Sequence, residues 1–278
     1  MIRILLFFFM CMSLSEAYAQ RAPDSEIGFA AGVSVYQGDL TEQLYTFYET
    51  GPMAGVFFRR NWRNKLSARL SLNYGRLRGA DHISSDPARK RRNLSFFSPL
   101  IEGSALLEYN FNRYYSGASR FRHGLINRGT PYIFSGVAFF WYNPKARLNG
   151  DKQSLQFIPT EQSKNYSLTQ FAIPIGVGIK YNIAPFVTLG VEFGFRKTFT
   201  DYLDDVSGQF IDSATAFSQG GYEALVLSDR SVEVNSERFP AGSARGNPKN
   251  NDNYYFVNIT LSKTLSGRGR YGCPGRRF

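Results

Sequence analysis

Apolar residues occupy every second position in about eight stretches of 10 to 16 residues between positions 26 and 265. In the first stretch Ile27, Phe29 and Val33 alternate with residues such as Glu26 and Gly28. A period of two indicates β-strands with one apolar and one polar face. We therefore predict strands near 26–37, 53–61, 66–78, 97–111, 131–143, 168–183, 186–199 and 253–265.

The connections between these strands alternate in length. The links at 62–65 and 184–185 are tight, whereas those at 38–52, 79–96, 144–167 and 200–252 are long and polar. Outer-membrane barrels have short periplasmic turns and long external loops. We predict an all-β fold, an eight-stranded antiparallel transmembrane β-barrel with long external loops and both termini in the periplasm. The link 112–130 is the exception, being long and on the periplasmic side, and it is a candidate contact surface through Arg113, Arg120, Arg122 and Arg128.

The N-terminus has the three regions of a secretion signal. Arg3 supplies a positive charge, positions 4–12 are continuously apolar, and Ala17-Tyr18-Ala19 is a small-x-small cleavage site. The apolar run is about half as long as a membrane-spanning helix, so we interpret it as a signal rather than an anchor. The predicted organisation is a signal peptide at 1–19, an outer-membrane barrel at 20–265 and a basic periplasmic tail at 266–278.

Charged residues fall on the polar face of the predicted strands. Parity points four acidic and four basic side chains the same way: Glu26, Glu102, Glu108, Glu192, Arg59, Arg69, Lys180 and Arg196. The remaining positions on this face are largely Gly, Ser and Ala, which suits a crowded interior better than the solvated exterior of a soluble ligand carrier. Eight strands enclose room for side chains and little else. We favour a charge-paired lumen that keeps the barrel closed over a substrate channel or catalytic lumen.

Aromatic composition and charge add to this interpretation. Aromatic residues make up 16% of the chain and cluster near strand ends, for example at Phe57-Phe58 and Trp141-Tyr142, as the girdles of a membrane barrel would. The net charge of +11 favours contacts with lipid phosphates and acidic partners. Nucleic acid is excluded as a partner by the compartment.

The search for catalytic chemistry gives one pair in an external loop. His82 follows Asp81, and an Asp-His pair can activate a water or a hydroxyl group. The other histidine, His123, falls on the opposite side of the membrane by parity, and no GxSxG, HExxH or P-loop pattern occurs. We therefore predict no catalytic residue, no cofactor and no enzyme activity.

Two further charged groups lie in the predicted external loops. Asp201, Asp204, Asp205 and Asp212 are spaced closely enough to suggest calcium, but the Gly and closing Glu of an EF-hand are missing. We favour a structural cap and predict no metal site. The basic run 89–92 is open to two interpretations, a clamp for lipid phosphates or a solvated face.

The last thirteen residues contain four arginines and no acidic residue, namely Arg268, Arg270, Arg276 and Arg277. Removal of the signal takes Cys11 away, which leaves Cys273 as the one cysteine of the mature chain in an oxidising compartment. Two interpretations stay open. The segment is either a disordered periplasmic tail or a docking peptide in which Cys273 forms an intermolecular disulfide.

Several segments resemble one family, the PorG-like outer-membrane barrels of the Bacteroidota. The most specific is 192–207, EFGFRKTFTDYLDDVS; the others are TPYIFSGV at 130–137 with YNPKA at 142–146, IPIGVGIKY at 173–181, EIG at 26–28 with YQGDL at 36–40, and the Cys273-Pro274 ending. The resemblance implies a non-enzymatic component of the type IX secretion and gliding machinery. It also implies a periplasmic ring lipoprotein and associated secretion components as partners, besides outer-membrane lipid.

Two classes of function therefore remain in view. The first is a barrel that anchors the periplasmic ring complex of type IX secretion to the outer membrane, with Cys273 and the tail arginines at the contact. The alternative is a stand-alone barrel with an envelope-structural, small-pore or surface-enzyme function.

Overall fold

The computed structural model describes residues 25–41, 49–63, 65–114, 129–162, 164–184 and 186–265. Within these residues, eight long strands build one barrel: β1 (Ser25–Gln37), β2 (Gly51–Arg63), β3 (Leu66–Ala80), β4 (Ser95–Asn110), β5 (Gly129–Tyr142), β8 (Thr169–Ala184), β9 (Val187–Thr198) and β10 (Asn253–Leu265). A short hairpin of β6 (Lys145–Leu148) and β7 (Asp151–Ser154) and two α-helices, α1 (Pro87–Arg92) and α2 (Ser213–Ser228), lie in the long connections. Three short 3-10 helices lie there too, at Asp81–Ile83, Leu155–Phe157 and Ser231–Val234. No helix in the described ranges has the length and apolar character needed to cross a membrane.

The barrel is closed and entirely antiparallel. Neighbouring strands follow the order β1-β2-β3-β4-β5-β8-β9-β10, and β10 returns to β1 with Ser25 opposite Leu265 and Gln37 opposite Asn253. Closure leaves neither the first nor the last strand with an unpaired edge. The predicted eight-stranded antiparallel barrel is confirmed, and each predicted strand matches an observed one within about three residues.

The two faces of the sheet differ sharply in chemistry. Outward positions carry large apolar side chains that are exposed in the isolated chain, such as Phe29 at 67%, Leu70 at 61% and Val137 at 63%. Inward positions carry charged, hydroxyl and glycine residues together with buried aromatic rings such as Phe134 and Phe140. An apolar exterior around a polar interior is the arrangement of a transmembrane barrel, because lipid rather than water contacts the outside.

The aromatic pairs near the strand ends divide between these faces. Phe58 and Trp141 are exposed on the outside, whereas their neighbours Phe57 and Tyr142 are buried inside the barrel. The prediction that such pairs form girdles is therefore wrong for one member of each of these two pairs, because adjacent residues of a strand point to opposite faces.

The long connections fold into a compact cap over one end of the barrel. We predicted long polar links, but α1, α2 and the β6–β7 hairpin enclose apolar residues that no periodic pattern marks in the sequence. The buried cluster includes Leu40, Leu94, Ala146, Leu155, Leu203, Val206, Ala216 and Leu227, and it is continuous with buried aromatic residues of the barrel such as Phe140 and Tyr254.

Candidate functional site

All eight charged residues that the alternation of the strands predicts to point inward lie in the lumen. Their exposed fractions lie between 0% and 5% (Glu26, Arg59, Arg69, Glu102, Glu108, Lys180, Glu192 and Arg196). They come from six strands, and the small diameter of an eight-stranded barrel brings them together across the lumen. Four acidic and four basic groups give a formally neutral interior.

Glu108 is the centre of the larger charge cluster. Its carboxylate lies 3.0 Å from Arg59 Nε, 3.1 Å from Arg69 Nε and 2.8 Å from Lys180 Nζ. Three cations from β2, β3 and β8 thus meet one carboxylate from β4. Each ion in such a site has lost its water, so stability depends on every charge keeping a close partner.

Two more carboxylates complete this cluster. Glu26 accepts hydrogen bonds from Arg59 Nη1 at 3.0 Å and Asn61 Nδ2 at 2.7 Å. Glu192 accepts from Arg69 Nη1 and from the hydroxyl of Tyr132. The Tyr132 ring also lies beneath Lys180, with Nζ 4.6 Å from the ring centroid, which adds a cation–π contact.

A smaller cluster lies nearer the cap. Arg196 Nε donates to Glu102 Oε2 at 3.0 Å, and Tyr254 and Asn73 donate to the same carboxylate at 2.8 and 2.9 Å. The Arg196 guanidinium lies 4.1 Å from the centroid of the Phe256 ring. The lumen is therefore crossed by paired charges and aromatic rings at two heights.

Glycine on the inner face makes room for the aromatic rings that lie among the lumen charges. A Cβ at Gly178 would lie 2.6 Å from Tyr132 Cζ, so any larger residue would displace the ring that donates to Glu192. The Gly, Ser and Ala of the polar face thus serve packing as well as polarity.

The end of the barrel opposite the cap is filled by the start of the 112–130 link. Tyr114 is 2% exposed, and its hydroxyl lies 3.2 Å from both Glu26 Oε1 and Asn182 Oδ1 and 2.8 Å from Thr188 Oγ1. Its neighbour Arg113 is described too, whereas Arg120, Arg122 and Arg128 lie outside the described residues. The signal peptide at 1–19 and the tail with Arg268, Arg270, Cys273, Arg276 and Arg277 also lie outside them.

Sequence reasoning missed the side chains that hold the cap together. Arg245 is 3% exposed, and its guanidinium donates to Glu161 Oε1 at 2.9 Å and to the carbonyl oxygens of Asp205 at 2.6 Å and Ser228 at 3.2 Å. It joins three segments that are far apart in the chain. No local signal distinguishes this arginine from others in a Gly- and Ser-rich loop, because its partners are long-range.

The Asp81–His82 pair does not form the arrangement that an acid–base pair needs. Asp81 is fully buried, and its carboxylate accepts from Arg92 Nε at 2.8 Å, Arg92 Nη2 at 2.7 Å and the Leu94 N–H at 2.9 Å. His82 is exposed on the cap surface. Asp81 therefore fixes the loop through its ion pair with Arg92. Within the basic run 89–92, Arg92 thus has a structural role.

The aspartates after β9 are parts of the cap. Tyr36 donates to Asp204 Oδ2 at 2.6 Å and lies 3.0 Å from Asp252 Oδ1, Asp205 accepts from Thr160 and Tyr166 at 2.6 Å each, and Asp212 caps α2 through the Thr215 N–H at 3.0 Å. Burial raises the pKa of Asp204 and Asp252 well above the usual range, and the charge of Asp204 raises that of Asp252 further. Among the residues the structure describes, no group of three or more His, Cys, Asp or Glu side chains is placed to hold a metal ion.

Asp201 makes the cap sensitive to pH. Burial, with the charges of Asp39 and Glu161, raises the pKa of Asp201 from 3.8 to about 7. Protonation of Asp201 stabilises the folded state fully below the unfolded pKa of 3.8. Between pH 3.8 and 7 only the folded state holds the proton, so this stabilisation falls as the pH rises and is lost once the pH passes the folded pKa of about 7. We expect Asp201→Asn to leave the stability of the cap unchanged at pH 4 and to raise it by about 1 kcal/mol at pH 8, after allowance for solvent screening.

Hydrogen exchange of cap amides at the two pH values measures this difference. The exposed Asp151→Asn on the β6–β7 hairpin is the matched control and should change neither value. Equal behaviour of Asp201→Asn and the wild-type chain at pH 8 would contradict the prediction.

A family model matches residues 2–220, which is more than three quarters of the 278-residue chain. The chain belongs to the DUF6089 family. This family is defined by a domain of unknown function. The matched segment ends within α2, so β10 and the basic tail lie beyond it. No curated protein matches the DUF6089 chain.

Solved structures similar to this DUF6089 protein are distant in sequence. The N-terminal β-barrel domain of OprF from Pseudomonas aeruginosa is 8% identical, with 87% of this chain and 99% of that chain covered and a TM-score of 0.39. Ail, the attachment invasion locus protein of Yersinia pestis, is 9% identical, with 88% and 100% covered and a TM-score of 0.40. Neisserial surface protein A is 10% identical, with 88% and 98% covered and a TM-score of 0.39.

Proposed function

We propose that this DUF6089 protein is an outer-membrane barrel that anchors the periplasmic ring complex of a type IX secretion system. The observation that carries the proposal is a lumen filled with paired charges inside an apolar exterior. A barrel that is filled with paired charges offers no route for solutes, so its function must lie at its ends or on its outer surface.

The apolar exterior supports location in a membrane. Outward residues such as Leu72, Val177 and Ile259 are 54% to 57% exposed, and they would be costly in water but are stabilised against lipid. β1 begins and β10 ends at the end of the barrel that carries the tight turns. If these turns face the periplasm, as in other outer-membrane barrels, both termini do so too.

The periplasmic end supplies the proposed contact. The basic link 112–130 starts at the plugged mouth of the barrel, and the tail 266–278 follows directly on β10. Both carry arginines, which suit an acidic protein surface. The segments at 192–207 and elsewhere that resemble PorG-like barrels support the ring lipoprotein and its associated secretion components as the partners.

The alternatives receive less support from the same geometry. A small pore is disfavoured because Glu108 and Glu102, each with its cations, cross the lumen at two heights. A surface hydrolase based on His82 is disfavoured because Arg92 occupies the carboxylate of Asp81. A stand-alone structural barrel differs from the anchor only in its lack of a periplasmic partner.

The anchor predicts a covalent adduct through Cys273. Non-reducing gels of outer-membrane fractions should show a larger band that collapses with reductant, and Cys273→Ser should abolish it. Cys11→Ser is the matched control, because that cysteine is predicted to leave with the signal peptide and its loss should not change the adduct.

A second arm separates a disulfide from a non-covalent contact. Pull-down of the tagged barrel from detergent extract, with and without residues 266–278, should recover the ring lipoprotein only with the full chain. Recovery of that partner by both forms, together with an unchanged band pattern in Cys273→Ser, would overturn the role of the tail.

A further inference from the structure

A cluster of cations faces outward at the cap end of the barrel, on neighbouring strands of one side. It consists of Arg76 and Arg78 on β3, Lys145 and Arg147 on β6, and Lys152 on β7. We refer to these five residues as the outer basic patch. None of them belongs to the lumen or to the run 89–92.

Strand register brings these side chains together. Phe97 of β4 pairs with Arg78 on one side and with Lys145 on the other, and Arg147 pairs with Lys152. Adjacent strands are about 4.8 Å apart, so Arg78 and Lys145 are separated by about 10 Å across β4. Arg76 and Arg147 lie close enough to Arg78 for their charges to act on it.

The same register shows that these side chains face outward together. Leu77 lies between Arg76 and Arg78 in the chain and is buried, whereas the two arginines are half-buried on the outside. On the hairpin, Leu148 is buried and pairs with Asp151, so Asp151 shares the face of Leu148 rather than that of Arg147 and Lys152. The hairpin thus turns its three cations to one face and its acidic residue to the other.

The height of the patch matches the edge of the lipid layer. The outward residues of β3 from Leu66 to Tyr74 form an apolar row, and Arg76 occupies the next outward position. The ten residue-to-residue steps from Leu66 to Arg76 span about 33 Å along a strand, or about 25 Å along the barrel axis at a tilt near 40°. This is about the height of the apolar band of an outer-membrane barrel, so Arg76 lies at its outer margin.

The cations of the outer basic patch have no acidic partner among the described residues. Among the described residues, ion pairs are formed by the lumen charges and, in the cap, by Arg92, Lys164, Arg230 and Arg245. Arg76 instead lies over the Phe97 ring at 4.7 Å. At the same height on β8, β9 and β10, the outward positions of the described strands carry one cation, Lys197. Unpaired positive charge is thus concentrated on one side of the barrel.

We propose that the outer basic patch binds the phosphorylated headgroup of a glycolipid in the outer leaflet. Guanidinium groups match phosphate oxygens in a bidentate manner, and several cations at one height suit a headgroup with more than one phosphate. The apolar row below, with Tyr74 and Ile101 opposite each other, lies where the acyl chains of the same lipid would run. The inference rests on the membrane location in the proposed function but not on any secretion partner.

The test uses the full chain in mild detergent and native mass spectrometry. The protein is incubated with lipid A that carries both phosphates, or with the same lipid after dephosphorylation. We expect the wild-type chain to retain the phosphorylated form at least about tenfold better. The triple variant Arg76→Gln, Arg78→Gln, Arg147→Gln should lose this preference, whereas Arg60→Gln with Lys263→Gln, outward cations at the opposite end, should keep it.

The remaining arms make each outcome decisive. Equal retention of both lipids by the wild-type chain would overturn the proposal without any variant, as would an unchanged preference in the triple variant that retains its heat-dependent mobility shift. Displacement of the lipid by millimolar inorganic phosphate alone would reassign the patch to free phosphate and overturn the lipid. A chain that inserts into vesicles and forms the Cys273 adduct but shows no lipid preference would refute this inference alone. A chain that does not insert would refute the proposed function.

Discussion

Replacing Glu108 by glutamine should lower the free energy of unfolding of the barrel by about 3–5 kcal/mol. The side chain keeps its size, but the negative charge between Arg59, Arg69 and Lys180 disappears. The three buried cations would then have only Glu26 and Glu192 as nearby carboxylates in this cluster. Water would not screen the repulsion among these cations. Urea unfolding in phospholipid vesicles, followed by the heat-dependent mobility shift, measures the change.

Two further variants show whether the loss comes from the charge cluster. Glu237→Gln, on the exposed surface of the cap, removes the same charge where water screens it and should change stability by less than about 0.5 kcal/mol. Combining Glu108→Gln with Lys180→Met should cost less than the sum of the two single changes, because the second removes a cation that the first leaves unpaired. A Glu108→Gln barrel as stable as the wild-type chain would show that the lumen is not held by ion pairing.

Replacing Arg245 by alanine should open the cap and leave the barrel intact. The change removes hydrogen bonds to Glu161, to Asp205 and to Ser228, and it leaves the Glu161 carboxylate buried without its cation. We expect a local loss of about 3 kcal/mol, which raises the cleavage rate of the 199–252 loop by chymotrypsin about a hundredfold when opening is fast. Chymotrypsin does not cleave at arginine, so the substitution itself removes no site.

The control for this variant is Arg230→Ala. Arg230 pairs with Glu233, three residues away on the cap surface, and such a pair contributes at most about 1 kcal/mol. The cleavage rate should therefore change by less than about fivefold, and the mobility shift of the barrel should be retained in both variants. Loss of that shift in Arg245→Ala would show that cap and barrel unfold together.

The barrel could be predicted from the sequence because its rule is local. Alternation with a period of two fixes which side chain faces in and which faces out, and each strand repeats the rule independently. This rule assigns Glu102 and Arg196 to the same face, although 94 residues separate them. Their pairing follows once the sheet is closed, since an eight-stranded lumen has little room to keep charges apart.

The cap could not be predicted, because nothing in it repeats. Leu203 and Val206 are apolar residues among aspartates, and they are buried in one cluster with Leu40 and Leu94 from other loops. Asp81 looked like the partner of its neighbour His82, but Arg92, eleven residues on, provides its ion pair. Contacts of this kind are decided by tertiary geometry, which a pattern along one segment does not encode.

Tyr36, at the outer end of the first strand, is hydrogen-bonded to Asp204 and Asp252, the latter just before the last strand. The cap can therefore take its mature shape only after the segment that leads into the last strand is in place. A molecule arrested before its first and last strands meet would therefore present a different surface at the cap end of the barrel.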